Sequence, residues 1–143
     1  MPSNYRNIAD GLVTVLEATI TNLKAFAFPP DVVNHFPAAV VLPQAIDVEI
    51  AFGGNSFEAD LRVVFLVASG DTPSGFQALY DHIDPTETGK SLVAAIRTAL
   101  GKTLNNTVDS CDVTRIENIG RRELWGAYYF GFDAILHFIK SVA

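Results

Sequence analysis

Apolar residues recur at Ile8, Leu12, Leu16, Ile20 and Leu23, steps of four and three that gather on one side of a helix. The pattern predicts a helix over residues 3–23, with Ser3 or Asn4 as its N-cap and Asp10, Glu17 and Asn22 mostly off the stripe. The alternation Lys24-Ala25-Phe26-Ala27-Phe28 then reads as a short strand, ended by Pro29-Pro30. After a loop over 31–37, the unbroken run Ala38-Ala39-Val40-Val41-Leu42 suits a strand buried on both faces and stopped by Pro43. A hairpin signal follows. Val48, Ile50 and Phe52 alternate with Asp47, Glu49 and Ala51, Gly53-Gly54-Asn55 supplies turn chemistry, and residues 57–68 form the longest clear strand. That strand places Phe57, Ala59, Leu61, Val63, Phe65 and Val67 on one face. Its other face starts polar at Glu58, Asp60 and Arg62 and turns apolar at Val64 and Leu66.

A polar loop over 69–75 leads to a helix at 76–83, stopped by Asp84-Pro85, and a third helix is expected over 91–100, ended by Gly101. Residues 111–119 read as a strand with Cys111, Val113 and Arg115 on one face, and Gly120-Arg121-Arg122-Glu123 as a charged turn. A last strand runs over 124–139. It holds Tyr128, Phe130, Phe132, Ala134, Leu136 and Phe138 on one side and Tyr129, Gly131, Asp133, Ile135, His137 and Ile139 on the other. A helix would scatter these aromatics, whereas a strand gathers them. The element order predicts an α+β fold: a two-layer sandwich in which helices pack on one face of a mostly antiparallel β-sheet, formed as a single domain over 1–143. On this reading the second sheet face keeps Tyr129, Ile135, Ile139, Val64 and Leu66 uncovered, which favours self-association.

Composition narrows the class. The 143 residues are 49% hydrophobic, enough for one core without disulfides or metal. No apolar run approaches the roughly 20 residues of a membrane span, and Met1-Pro2-Ser3-Asn4-Tyr5-Arg6 offers no apolar signal-peptide core. One cysteine, Cys111, rules out an intramolecular disulfide and suits a reducing compartment. A formal net charge of −6 without a basic cluster argues against tight binding to nucleic-acid phosphates.

Known chemical motifs are mostly incomplete. Gly89-Lys90-Ser91 resembles the end of a phosphate-binding loop, but the required earlier glycine position holds Asp84, so a loop-to-helix junction is the better reading. Ser74 lacks the flanking pattern of a nucleophile elbow. His35, His82 and His137 are dispersed, and Asp81, Asp84 and Glu87 do not follow a calcium-loop pattern. No metal or cofactor is expected. Asp133 and His137 share a strand face four residues apart, an arrangement that catalytic dyads can show but that more often marks a strand edge, a bulge or a subunit contact. Trp125, beside Gly126, fits either the core or an interface anchor.

Taken in order, the segments Gly11-Leu12-Val13-Thr14-Val15-Leu16, Lys24 to Pro29, Asp31-Val32-Val33-Asn34, Pro37 to Val41, Val63 to Val67, Gln77-Ala78-Leu79-Tyr80, Ser91 to Ile96 and Tyr128 to Asp133 resemble the tail terminator proteins of long-tailed bacteriophages, over nearly the whole chain. The resemblance implies a non-enzymatic virion protein assembled in the host cytoplasm. It would form a homo-oligomeric, hexameric ring that caps the tail tube, stops its polymerisation and meets the head-side connector. DNA would pass through the ring without specific binding, and there would be no cofactor and no membrane. Another neck or tail-completion component is the nearest alternative, and a small-molecule enzyme or binding domain a more distant one. On the ring reading, the loop residues Gly53, Gly54, Asn55, Asp71 and Thr72, together with Arg121, Arg122, Trp125, Tyr129, Asp133 and His137, are the candidate contacts to neighbouring subunits, tube or neck.

Overall fold

A computed structural model describes residues 5–27, 29–30, 33–47, 56–69 and 75–141. The expected hairpin turn at 53–55 and the polar loop at 70–74 lie outside them. Helix α1 (Tyr5–Thr19) is followed by β1 (Lys24–Phe26), β2 (Ala38–Asp47), β3 (Ser56–Ser69), α2 (Gly75–Ile83), α3 (Leu92–Ile96), β4 (Ser110–Leu124) and β5 (Ala127–Ser141). The fold is α+β; among the described residues the sheet has five strands ordered β1-β2-β3-β5-β4, in which only the β1–β2 pair is parallel. No helix among the described residues is long and apolar enough to cross a membrane.

The main core lies between the helices and one sheet face. Ile8, Leu12 and Leu16 of α1, Leu79 of α2 and Leu92 and Ile96 of α3 pack on Ala59, Leu61, Val63 and Phe65 of β3 and on Phe132, Ala134, Leu136 and Phe138 of β5. Phe65 and Phe132 stack with ring centroids 5.0 Å apart at the centre. Strand alternation put these residues on one face, as the sequence predicts. Gly11 brings α1 close to the segment after α3: a Cβ there would lie 2.3 Å from the Leu104 carbonyl oxygen.

Four local expectations change. Strand β2 does not stop at Pro43 but continues to Asp47 through a bulge between Pro43 and Ala45. Among the described residues β2 has no partner on the β1 side beyond Val40, so a proline without an N–H costs no ladder bond there. Helix α3 ends at Ile96 because Thr98 competes for its backbone: the hydroxyl donates to the Ala95 carbonyl (2.8 Å) and accepts from the Gly101 N–H (3.0 Å). Strand β4 runs through the predicted charged turn. Asn118 and Ile119 form a bulge, and Gly120 (φ 132°) uses its freedom there, opposite Gly131. A second bulge between Val113 and Arg115 moves Arg115 off the face of Cys111 and Val113, and its guanidinium pairs with Glu117 instead.

The second sheet face is not bare. Val64 and Leu66 of β3, Val40 and Ala38 of β2 and Tyr129 of β5 form a smaller buried cluster with Val33, and Phe26, Phe36 and Leu42 pack against it. Tyr129 is 6% exposed and its ring faces Phe36 at 6.0 Å. Ile135 is also buried. The chain's own 33–36 segment thus covers surface that the sequence pattern left for a neighbouring copy. The physical reason is that a short loop can cross one end of a sheet face without contributing any element visible in the periodicity.

Candidate functional site

The centre of this second face is charged. Asp133 of β5 is 1% exposed, and each of its carboxylate oxygens accepts from a different arginine, Oδ2 from Arg62 of β3 and Oδ1 from Arg122 of β4. Asn118 Nδ2 donates to Oδ2 at 3.0 Å. Arg62 spreads its other donors to Glu117 Oε1 (2.9 Å) and Gln44 Oε1 (2.8 Å). The network therefore ties four adjacent strands by side chains across their backbone ladders. Every donor on Arg62 that meets the chain has an acceptor, so the group is satisfied as a structural clamp. A guanidinium fork suits this role because its planar donors reach several acceptors at once.

His137 lies four residues along β5 on the same face, with different partners. Its Nδ1 is 2.7 Å from Asp60 Oδ1 and its Nε2 3.1 Å from Glu58 Oε2. The hydrogen bond to Asp60 is the largest cause raising its pKa, with both carboxylates adding attraction against some burial. Asp133 and His137 are held by separate sets of groups: two arginines and Asn118 for the first, two carboxylates for the second. His82 behaves oppositely. It packs on Phe65 (5.0 Å between centroids), and its Nδ1 lies 2.8 Å from the Lys90 carbonyl. Burial is the leading cause lowering its pKa.

These two shifts have opposite signs for stability. A raised folded value at His137 gives a contribution that is complete below the ordinary value of 6.5 and is lost as pH rises through the folded value. A lowered value at His82 gives one that is complete above 6.5 and is lost as pH falls. We expect the stability difference between wild type and His137→Gln to shrink on going from about pH 6 to about pH 8, and that between wild type and His82→Gln to shrink on acidification toward about pH 5. Urea midpoints at each pH measure both. A His137→Gln difference that stays level over this range contradicts the ion-paired geometry.

The other motifs resolve into local structure. Ser91 caps α3, its Oγ accepting from the Ala94 N–H at 3.2 Å, and Lys90 Nζ reaches Asp81 at 3.5 Å. The Thr86 N–H and hydroxyl both donate to Asp84, which holds that carboxyl below its ordinary range. Among the described residues no group of three His, Cys, Asp or Glu side chains is placed to hold a metal ion. Cys111 is buried, and desolvation pushes its thiol up to about 12, so it stays protonated and a poor nucleophile. Two open clefts lie in the helix layer. One of about 390 Å³ is lined by Ile96, Arg97, Lys102, Ser110, Cys111 and Asp112, and one of about 350 Å³ lies between α1 and the segment after α3. Neither is lined by Asp133 or His137.

No protein-family model and no curated protein matches this chain.

Exposed large hydrophobics include Tyr80 and Leu100 on the helix side and a group in the β4–β5 hairpin. Leu124 pairs with Ala127, so the turn consists of Trp125 and Gly126, both with positive φ (51° and 82°). These are the signs of a type I′ hairpin turn, whose first position favours Asn, Asp or Gly. Tryptophan there carries the steric cost of a left-handed side-chain residue and leaves its indole 41% exposed. Tyr128 (50%) and Ile119 (54%) are exposed nearby in the hairpin, and the Arg121 guanidinium sits 4.4 Å from the Tyr128 ring centroid. Of the residues the sequence singled out, Arg122 and Asp133 meet in the clamp, Arg121 and Trp125 lie at the tip, and Tyr129 and His137 belong to separate clusters. Gly53, Gly54, Asn55, Asp71 and Thr72 fall outside the described residues. Arg62, Glu117, Asn118, Ile119 and Tyr128 were not singled out as site residues. The alternation of Glu58, Asp60 and Arg62 on one strand face, and the Trp-Gly pair between two strands, were the available signals.

Proposed function

We propose that this chain is a structural assembly subunit that joins copies of itself into a ring at the head-proximal end of a phage tail tube, the role its resemblance to tail terminators implies. One observation carries the self-association: an indole displayed at a hairpin turn in a backbone conformation that a smaller polar residue would adopt more easily. Strain of this kind, at an exposed tip, supports a role in contact rather than in folding. The edge of β4 is a weaker candidate for pairing, since two bulges interrupt it and bulged edges resist continuous strand addition. The ring contact is heterologous, with one patch meeting a different patch on the next copy. The net charge of −6 suits a passage along which DNA slides without adhering.

The test is a mass measurement of the purified protein by native mass spectrometry and light scattering, alone and after addition of polymerising tail-tube protein. A hexamer-sized species, or rings that cap tubes and stop their growth, is the expected result. A particle that stays monomeric while tubes lengthen unchecked defeats the proposal. Location elsewhere along the neck in assembled virions favours another completion component.

A further inference from the structure

We propose that the cleft between the end of α3 and the start of β4 binds a small organic carboxylate, its charge held by Arg97 and Lys102 and its apolar body laid on Ile96 and Cys111. The inference goes beyond the assembly reading and does not depend on it.

The cleft follows from how the chain leaves α3. Thr98 ends the helix after Ile96, and Gly101 then presses its backbone against that end, where a Cβ would collide with the Ala95 carbonyl oxygen. The 3₁₀ turn Gly101–Thr103 is thereby folded back. Lys102 and Arg97 come to line one cleft, and Ser110, Cys111 and Asp112 at the start of β4 complete it. The space between them is about 390 Å³, within the roughly 300–1,000 Å³ of small-molecule sites. Ile96 and Cys111 are buried and supply an apolar lining. Arg97, Lys102, Ser110 and Asp112 are exposed and supply a polar rim.

The donors on that rim are unspent. Elsewhere Arg62, Arg115 and Arg122 pair with carboxylates, and Arg121 lies against Tyr128. Arg97 meets Asp112 only through Nε, at 3.9 Å, beyond hydrogen-bond length, which leaves its two terminal nitrogens without an acceptor. Among the described residues Lys102 Nζ and the Ser110 hydroxyl have no ion pair or hydrogen bond. Asp112, by contrast, is engaged: its Oδ1 accepts from the Val113 N–H at 2.8 Å.

The rim selects the ligand class. Two cations against one carboxylate leave a single net positive charge. A monoanion balances it, whereas a dianion meets more of the repulsion from Asp112. A carboxylate offers two coplanar oxygens to the planar guanidinium fork, and an apolar body attached to it removes the surface of Ile96 and Cys111 from water. Exposed Asp109 lies just before Ser110 without lining the cleft, and the chain as a whole is acidic. Recognition is therefore by short-range contact, not by long-range steering.

Titration of the isotope-labelled protein with sodium benzoate, followed by amide chemical shifts at constant ionic strength, tests the site. Benzoate should move the amides of Ile96, Arg97, Lys102, Ser110, Cys111 and Asp112, with a Kd on the order of 1–10 mM, as suits a ligand of so few atoms. Benzamide, the same ring without the charge, and inorganic phosphate, the charge without the ring, should each bind about tenfold more weakly. Arg97→Ala and Lys102→Ala, both at exposed positions, should keep the wild-type urea midpoint and each weaken benzoate binding about threefold to tenfold. Asp112→Asn should tighten it about threefold by removing the one like charge. That opposite sign separates a binding site from local loss of structure, which weakens binding in all three variants. Benzamide or phosphate matching benzoate, an Asp112→Asn protein that binds more weakly than the wild type, or cleft amides that stay unmoved at saturating benzoate would each overturn the proposal.

Discussion

Replacement of Phe132 by alanine should lower the unfolding free energy by about 3–5 kcal/mol, with a fall in Tm of roughly 10–15 °C for a chain of this length. Phe132 is fully buried and stacks on Phe65 within 9° of parallel, at the point where β3 and β5 carry the main core. Its removal loses the transfer energy of the ring and leaves a cavity that the sheet does not readily close, since its neighbours Phe65, Ala134 and Leu136 are held in the paired strands β3 and β5. Phe132→Leu should recover much of the loss. Equilibrium urea unfolding gives the numbers directly, and a cost below about 1.5 kcal/mol would mean that the stacked pair is not central to the core.

The adjacent residue gives the second large effect by an unrelated route. Asp133→Ala should cost about 3–5 kcal/mol, because it leaves Arg62 and Arg122 facing one another on the second sheet face without the carboxylate that both share. The arginine side chains are about one-fifth exposed (22% and 20%), so water relieves part of the repulsion and the lower half of that range is expected. The double change of Arg62 and Arg122 to methionine in the Asp133→Ala background should restore most of the stability, as apolar replacement of a whole buried ion cluster does. If the single and triple variants unfold at the same urea concentration, the cost comes from something other than stranded charge. Phe132 and Asp133 are neighbours in sequence, yet strand alternation sends one into an apolar core and the other into an ionic clamp.

That contrast shows what the sequence made legible. The alternating pattern of β5 separated its two faces correctly, and the switch from polar to apolar along β3 marked where that face becomes covered. The network partners were not legible. Arg62 and Asp133 are 71 positions apart, and no local pattern says that β5, not β4, lies beside β3. The Asp133–His137 spacing suggested one site, but the strands on either side supply each residue with its own partners. Helix α3 was overextended because Thr98 and Gly101 act through side-chain and close-packing effects that periodicity does not record. The misplaced turn at Gly120 has a similar origin: a glycine marks freedom, and only the pairing decides whether that freedom makes a turn or a bulge.

By itself, the sequence determined the α+β class, the helical stripe of α1, the two faces of β5 and the acidic, single-cysteine character of the chain, because each depends on nearest neighbours and on counts. Tertiary structure alone decided the strand order β1-β2-β3-β5-β4, the bulges that set β4 in register, the cover of the second face by residues 33–36 and the display of Trp125 at the hairpin tip. Those depend on contacts between residues far apart in the chain, where many pairings satisfy the same local pattern and the closest packing with every buried charge partnered selects one.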